Sequence, residues 1–578
     1  MKEWTKEAIF YHIYPLGFCG APQFHQEEVT HRIQKVEEWI PHLKDLHINA
    51  IYLGPVFESF EHGYDTSDYR LVDHRLGTNE DFKQVCQKLH EAGIRIVLDG
   101  VFNHVGREFW AFKDVQKNQQ NSRYCGWFHN LNFGNSSPLG DPFTYEAWEG
   151  HYNLIKLNLQ NEEVVQYLLE SIAMWMDDFG IDGLRLDAAD CIDRNFFRRL
   201  KVFCEEKNPD FWLMGEIIHG DYTMWANKEM LDSVTNYECY KGLWSSHNEK
   251  NYFEIAYSLN RQFGNGGIYK DLVLYNFADN HDVNRLASTV KDPKDLYNIY
   301  SLLYTMPGMP SIYYGSEWAI PGTKHNGSDA DIRPCLQLNE KGPDTALSDH
   351  IGKLGEIKEK NHVLSHGTYE QVLVRNQQFV FARCVGNERI YTALNVSDEP
   401  FQCEIDIPYD AMIDLIHDKY ITVSNHKLII ELAPKSSAIY ACAEGRDVTE
   451  FQSSLEEESG MQDKLKEISQ AKEESIAQIK QEETAAVEEA VDPSEESSDS
   501  KENEYEQPES IIPGRYQHFK GKNYAVLYLA THSETMETYV VYRQLYGEGS
   551  VWIRPLSMFQ EQVEVDGKMV PRFRYIGK

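Results

Sequence analysis

Between Ala8 and about Lys360 the sequence alternates short β-rich apolar runs with runs of helical spacing, and this alternation restricts the fold more than any other feature. AIFYHIYPLGF (8–18), AIYLGPVFES (50–59) and IRIVLDGVFNH (94–104) read as strands, the last apolar enough to be buried on both faces. KVEEWIPHLKDL (35–46) has helical spacing, and Phe82, Val85, Cys86 and Leu89 fall at i, i+3, i+4 and i+7 on one helix face. The alternation pauses over a loop-rich stretch (105–160) and resumes with a second helical stripe, Val165, Leu168, Leu169, Ile172 and Trp175. GLRLD (183–187), WLMGEI (212–217), LVLYNFADNHD (272–282) and SIYYGSE (311–317) are the later strands. Repeated βα units imply a parallel sheet, and eight of them predict a closed (β/α)8 TIM barrel over 1–360, with 105–160 as a short excursion after strand three.

The rest of the chain changes character. Short alternating strands over 361–445 (QVLVRN, FVFARCV, RIYTALNV, KLIIEL, SAIYAC) predict an antiparallel β domain. Residues 446–510 hold 21 acidic against 6 basic residues and are dominated by Ser, Glu and Gln, a composition that cannot bury enough apolar surface to fold alone. They read as an acidic linker, disordered or partly helical around Leu465, Ile468, Ile476 and Ile479. Residues 511–578 are aromatic and β-rich, with Asp566-Gly567 suited to a hairpin turn, and predict a small β module.

A net charge of -35 argues against a polyanionic partner, so no nucleic acid is expected. MKEWTKEAIFYHIYP lacks the apolar core of a signal peptide, and no window of about 18 apolar residues marks a membrane span. Ten scattered cysteines without a CxxC pair suit reduced thiols, so the expected location is cytoplasmic.

In such barrels the chemistry sits at the C-terminal ends of the strands. Asp99, Asp187, Glu216 and Asp282 each follow an apolar strand run. A lone acid at a strand end is more often a helix cap, but four such ends together suit retaining glycoside hydrolysis. That reaction needs two carboxyl groups about 5 Å apart, one attacking and one donating a proton. Arg185, two residues before Asp187 and so on the same strand face, would keep Asp187 ionised, whereas Glu216 leaves an apolar run that favours a raised pKa. Asp282 can bind sugar hydroxyls and stabilise positive charge, and His281 and His104 are donors suited to those hydroxyls.

DGVFNH (99–104), GLRLDAAD (183–190), GEI (215–217) and DNHD (279–282) resemble, in the same order, the four sequence blocks of the α-amylase family, glycoside hydrolase family 13. HGYDTSDY (62–69) resembles the family's segment after the second barrel strand, and the likeness covers about residues 4–443. It implies Asp187 as nucleophile, Glu216 as general acid/base and Asp282 as stabiliser. It also implies Tyr64 as a platform for the sugar at the cleavage point, with Asp99, His104, Arg185, His281 and Arg285 as substrate-binding or supporting residues. Arg333 resembles another arginine near the family's site, with a surface ion pair as the plain alternative. LIKLN (154–158) is similar to a block of neopullulanases and cyclomaltodextrinases, with Ile155 where that group has proline. Those enzymes usually carry an N-terminal β domain that helps form the dimer and shape the site; this sequence starts at the barrel, so the resemblance leaves dimerisation and preference for cyclic substrates open.

The resemblance requires no cofactor. Many members bind a structural calcium ion and several lack one; Asn103 stands where the family has a ligand. His12, Tyr14, Trp127, Phe128 and Trp148 are sugar-stacking candidates against a core reading, and Phe133 and Trp148 lie in the excursion that lines the family's cleft. Residues 513–578 resemble a small bacterial domain family of no established function, in which His532, Ser533 and Glu534 form either a polar ligand site or a turn. The implied activity is cleavage of α-glucosidic bonds in maltodextrin-type oligosaccharides through a covalent glycosyl-enzyme intermediate. A transglycosylase of the same family and a non-catalytic glycan-binding scaffold are the alternatives.

Overall fold

Eight short parallel strands carry the architecture: β1 (Phe10–Ile13), β2 (Ala50–Leu53), β3 (Arg95–Gly100), β4 (Gly183–Leu186), β5 (Trp212–Gly215), β6 (Ser233–Val234), β7 (Tyr275–Phe277) and β8 (Met309–Tyr313). The computed structural model describes residues 2–325, 327–444, 511–531, 537–545, 551–565 and 568–577. The strands are ordered β6-β5-β4-β3-β2-β1-β8-β7, and a parallel bridge between Thr235 and Tyr275 brings β6 to β7 and closes the ring. Both helical stripes of the sequence are buried, one on the helix Asn79–Glu91 and the other on Glu162–Met174 and the π turn that extends it to Phe179. The first of these helices starts on a capping box between Thr78 and Asp81.

Several runs read as single elements are divided, two of them at a proline. The helical run 35–46 is two helices, Lys35–Glu38 and Ile40–Asp45, because Pro41 has no amide to carry the hydrogen bonds across Trp39. AIYLGPVFES splits at Gly54-Pro55 into β2 and Phe57–Ser59, which pairs with Thr66–Val72. IRIVLDGVFNH splits into β3 and His104–Gly106. The stretch read as loop holds a helix, Trp110–Asn118, and a three-stranded antiparallel sheet of His104–Gly106, His151–Lys156 and Ala147–Trp148.

Trp175 shows how the helix layer is fixed to this base. Its ring stacks on Phe57 at 4.2 Å, its indole N–H donates to the Tyr69 carbonyl at 2.8 Å, and it is fully buried. Trp175→Ala empties that space and orphans the carbonyl, so we expect a loss of about 3–5 kcal/mol, read as a lower midpoint of denaturant unfolding.

Beyond the barrel, six strands from Thr368–Val374 to Ser436–Cys442 form an antiparallel sheet, and Phe401–Asp406 pairs with Lys427–Leu432 over it. A core of Val380, Tyr391, Met412, Leu428, Ile430 and Tyr440 lies between. These elements belong to one compact unit, Met1–Glu467; the other is Ile468–Lys578. In that second unit five antiparallel strands, ordered Val551–Pro555, Thr538–Gln544, Asn523–Thr531, Gly514–His518 and Phe573–Gly577, pack around Tyr516, Val540, Tyr542, Phe559 and Phe573. Gln562–Val565 pairs with Lys568–Pro571. The expected linker 446–510 with its Leu465, Ile468, Ile476 and Ile479, the Asp566-Gly567 turn and the group His532, Ser533 and Glu534 lie outside the described residues. No disulfide joins the ten cysteines. No helix among the described residues is long and apolar enough to cross a membrane.

Candidate active site

The four acids meet at the C-terminal mouth of the barrel because strand register puts them there. Asp99 on β3 is the direct cross-strand partner of Arg185 on β4, and Asp187 and Glu216 each follow the last residue of their strand. The ladder continues one step past the strand ends, with the Asp187 amide on the Gly100 carbonyl at 3.1 Å and the Glu216 amide on the Leu186 carbonyl at 2.9 Å. Ala188 between them takes a left-handed backbone, φ 43°, and gives its amide to Glu216 Oε2 at 3.1 Å. A non-glycine residue in that region is strained unless its surroundings impose it, and such strain gathers at functional sites.

One guanidinium organises three carboxylates. Arg185 Nη1 lies 2.9 Å from Asp99 Oδ1 and 2.9 Å from Asp187 Oδ1, and Nη2 lies 2.8 Å from Glu216 Oε1. Arg185 is only 3 % exposed. Arg185 thus serves Asp99 and Glu216 as well as the Asp187 it was expected to keep ionised, and Glu216, which leaves an apolar run, ends against a cation. The two end nitrogens of a guanidinium are about 2.3 Å apart in a rigid fork. The Asp187 and Glu216 oxygens on that fork are therefore within about 8 Å of each other. Tyr237, which the sequence reading did not single out, places its hydroxyl 3.5 Å from Glu216 Oε1.

Burial pushes the Asp187 carboxyl well above the usual carboxylate range; Arg185 opposes this and the Glu216 and Asp99 charges add to it. Burial also raises Glu216, again against Arg185, with Asp282 adding to the rise. Two buried carboxyls facing one shared cation titrate together, and burial displaces the pair upward. Asp282 behaves oppositely. Burial would raise it, but His281, then Arg333 and Arg185, outweigh that and hold it well below the carboxylate range.

Asp282 is reached from the other side of the ring. His281 Nε2 lies 2.9 Å from its Oδ2 and Arg333 Nη2 3.0 Å from its Oδ1. Arg333 also donates through Nε to the His281 carbonyl at 2.9 Å and lies over the Tyr14 ring at 4.5 Å. Of its two sequence readings, a residue beside the site and a surface ion pair, the first describes its place. Arg285 is not brought to the acids. It is fully buried, its Nη1 donates to the Tyr314 carbonyl at 2.9 Å, and its charge rests on the Tyr313 ring at 4.6 Å, so it braces the wall behind the site.

Tyr64 joins the two halves. Its hydroxyl donates to Asp99 Oδ2 at 3.0 Å and meets His281 Nε2 at 2.5 Å, and its ring stacks on His281 at 5.5 Å. Gly63 before it needs φ 88°, and a Cβ there would meet Pro55 at 2.9 Å, so the turn that presents Tyr64 requires glycine. Tyr52, which the sequence reading did not single out, donates to Asp99 Oδ2 at 2.7 Å. His104 Nε2 is 3.9 Å from Asp187 Oδ2, and its ring stacks on Trp148 at 5.4 Å. Burial, then His62, pushes the His104 imidazole down to about 3, so it is neutral there. Among the stacking candidates, His12 lines the pocket that also holds Arg185, Glu216 and His281, and Tyr14 stacks beside His281. Trp127 and Phe128 are core, and Phe133 packs on Phe143.

Asn103, offered by the resemblance to calcium, is buried; its Oδ1 has no hydrogen-bond partner and its Nδ2 lies 3.1 Å from His104 Nδ1. Calcium takes about six or more oxygen ligands. Among the described residues no group of three His, Cys, Asp or Glu side chains gathers around Asn103, so a cation there would depend on carbonyl oxygens and water beside the Asn103 Oδ1.

The catalytic-domain model of α-amylases matches residues 30–350, and residues 514–575 match a protein family of unknown function, DUF1653. A cyclomaltodextrinase from a Bacillus species is 30 % identical over 413 residues, covering 68 % of this chain and 73 % of that protein. Neopullulanase 2 of Thermoactinomyces vulgaris is 29 % identical, with 70 % and 72 % covered. Among solved structures, the cyclic α-maltosyl-(1→6)-maltose hydrolase of Arthrobacter globiformis, in complex with cyclic α-maltosyl-(1→6)-maltose, superposes with a TM-score of 0.64 at 25 % identity. That match covers 76 % of this chain and 99 % of the other. With more than half its length matched by the catalytic-domain model, this chain belongs to the α-amylase family of glycoside hydrolases.

Proposed function

We propose that the protein hydrolyses α-glucosidic bonds in maltodextrin-type oligosaccharides with retention of anomeric configuration. Asp187 attacks the anomeric carbon while Glu216 protonates the leaving oxygen; Glu216 then takes a proton from water as the water releases the sugar from Asp187. The observation that carries this reading is the Arg185 fork, which holds Asp187 on one nitrogen and Glu216 on the other. A single proton retained by that pair gives one ionised and one protonated carboxyl, the division of labour that double displacement needs. Asp282, kept ionised by His281 and Arg333, faces the positive charge that develops on the ring. Tyr64, clamped between Asp99 and His281, is the platform under that ring.

The test is proton NMR of early products from maltoheptaose, before mutarotation. The expected first-formed reducing sugar is the α-anomer. A β-anomer would mean a single displacement and remove Asp187 from the attacking role. Chromatography of the same reaction separates hydrolysis from transfer, since transfer yields oligosaccharides longer than the substrate.

A further inference from the structure

We propose that His25, Glu58 and His74 form a binding site for a divalent transition-metal ion of the zinc class, separate from the carboxylate cluster. Each residue offers one ligand atom, these atoms all lie within 4.8 Å of one another, and among the described residues no other such group of three His, Cys, Asp or Glu occurs. The three come from separate segments: His25 from the loop after β1, Glu58 from the strand Phe57–Ser59, and His74 from the turn after Thr66–Val72. His25 Nδ1 lies 2.5 Å from Glu58 Oε1, and the two imidazole rings stand 5.8 Å apart. Glu58 is only 7 % exposed, and its other oxygen accepts the His74 amide at 2.9 Å. His74 Nδ1 is buried without a hydrogen-bond partner. A buried imidazole nitrogen left unsatisfied beside a buried carboxylate is costly, and a bound cation would satisfy both.

The donor set selects the ion. Two imidazole nitrogens and one carboxylate oxygen suit zinc and its neighbours rather than calcium or magnesium, which prefer all-oxygen shells. Three protein ligands leave one tetrahedral position for water. Bonds of about 2.1 Å set ligand atoms roughly 3.4 Å apart. The group therefore needs to tighten by up to about 1.4 Å at its widest and open by about 0.9 Å between His25 and Glu58.

The frame around the group is already fixed. Arg75, fully buried, donates to the carbonyls of Gln23 and Glu61 at 2.7 Å each, and to Ser59 Oγ and the Asp73 carboxylate. The His25 amide donates to the Phe60 carbonyl at 2.7 Å, and the Thr30 amide to the His74 carbonyl at 2.9 Å. Outer partners of this kind hold ligands in place, and losing one typically costs about 10–100-fold in metal affinity. An ion here would clamp the β1 loop to the hairpin whose tip carries Tyr64.

The test uses the full chain, stripped with chelator and dialysed, then titrated with Zn²⁺ by calorimetry and with Co²⁺ by visible absorption. Wild type is expected to bind one Zn²⁺ per chain with a raised melting temperature, and Co²⁺ to give ligand-field bands of a nitrogen-containing site. His25→Ala, at a partly exposed loop position, and His74→Ala should each weaken binding by at least about a hundredfold, beyond the loss of an outer partner. His47→Ala, at a distant surface pair with Glu359, should bind as wild type does. Far-UV circular dichroism identifies any variant that has failed to fold, and His25→Ala then decides alone. Failure of the stripped wild type to take up stoichiometric Zn²⁺, or unchanged affinity and Co²⁺ spectrum in His25→Ala, overturns the site. Neither result bears on the carboxylate chemistry.

Discussion

Asp187→Ala is expected to lower turnover of maltoheptaose by at least about 10⁴-fold, the scale of losing a residue that acts with its neighbours as a unit. No other carboxylate can take its place. Asp99 is held by Arg185, Tyr52 and Tyr64, and Asp282 by His281 and Arg333. The variant should still fold, since Arg185 keeps Asp99 and Glu216 as partners and no buried cation is left unpaired. The small space left by the carboxylate gives a sharper readout than the rate. Azide can enter it and attack an activated α-maltosyl substrate directly, which inverts the centre once and yields a β-glycosyl azide. Restoration of turnover by azide with that product supports attack by Asp187. Activity within about tenfold of wild type, or an α-azide product, assigns the attack elsewhere.

The parts of this site that could be read from the sequence are those that local chain geometry dictates. An acid that ends an apolar strand run is visible as such, and Asp99, Asp187 and Glu216 all occupy that position. Seven of the barrel strands announce themselves by such runs; β6 does not, because Ser233–Val234 is two residues long in MLDSVTNY. Its place comes from neighbours, the Asp232 amide on the Leu213 carbonyl and the Thr235 amide on the Gly215 carbonyl. Cross-strand register is likewise absent from the sequence, so nothing showed that Arg185 stands opposite Asp99 and reaches Glu216 as well. Arg285 and Arg333 both sit in loops beyond barrel strands, and only three-dimensional packing sends one into the wall and the other to Asp282. Tyr52 and Tyr237 look like the core aromatics around them until their hydroxyls are seen on Asp99 and Glu216. His25, Glu58 and His74 carry no spacing motif, since their meeting depends on a loop folding back onto a hairpin.

Glu216→Gln is expected to reduce maltoheptaose turnover by at least about a thousandfold, while leaving the fold intact, because Gln keeps the volume and its one carbonyl oxygen can still accept from Arg185, at the loss of the Ala188 amide bond. The loss should depend on the leaving group. An aryl maltoside whose phenol is acidic departs without protonation, so its glycosylation step should be far less affected than cleavage of a maltodextrin bond. The pH profile gives an independent check. The Asp187–Glu216 pair holds its shared proton because burial raises both carboxyls, with Arg185 opposing. As pH rises through that raised value the proton leaves and the pair carries two negative charges, so wild-type kcat/KM for maltoheptaose should fall on the alkaline side. Gln has no proton to lose there. The residual activity of Glu216→Gln on the aryl maltoside should therefore lack the alkaline fall, while the acid side, set by ionisation of Asp187, persists. An equal loss on both substrates, or an alkaline limb unchanged by the substitution, would give the proton to some other group and leave Glu216 a binding residue.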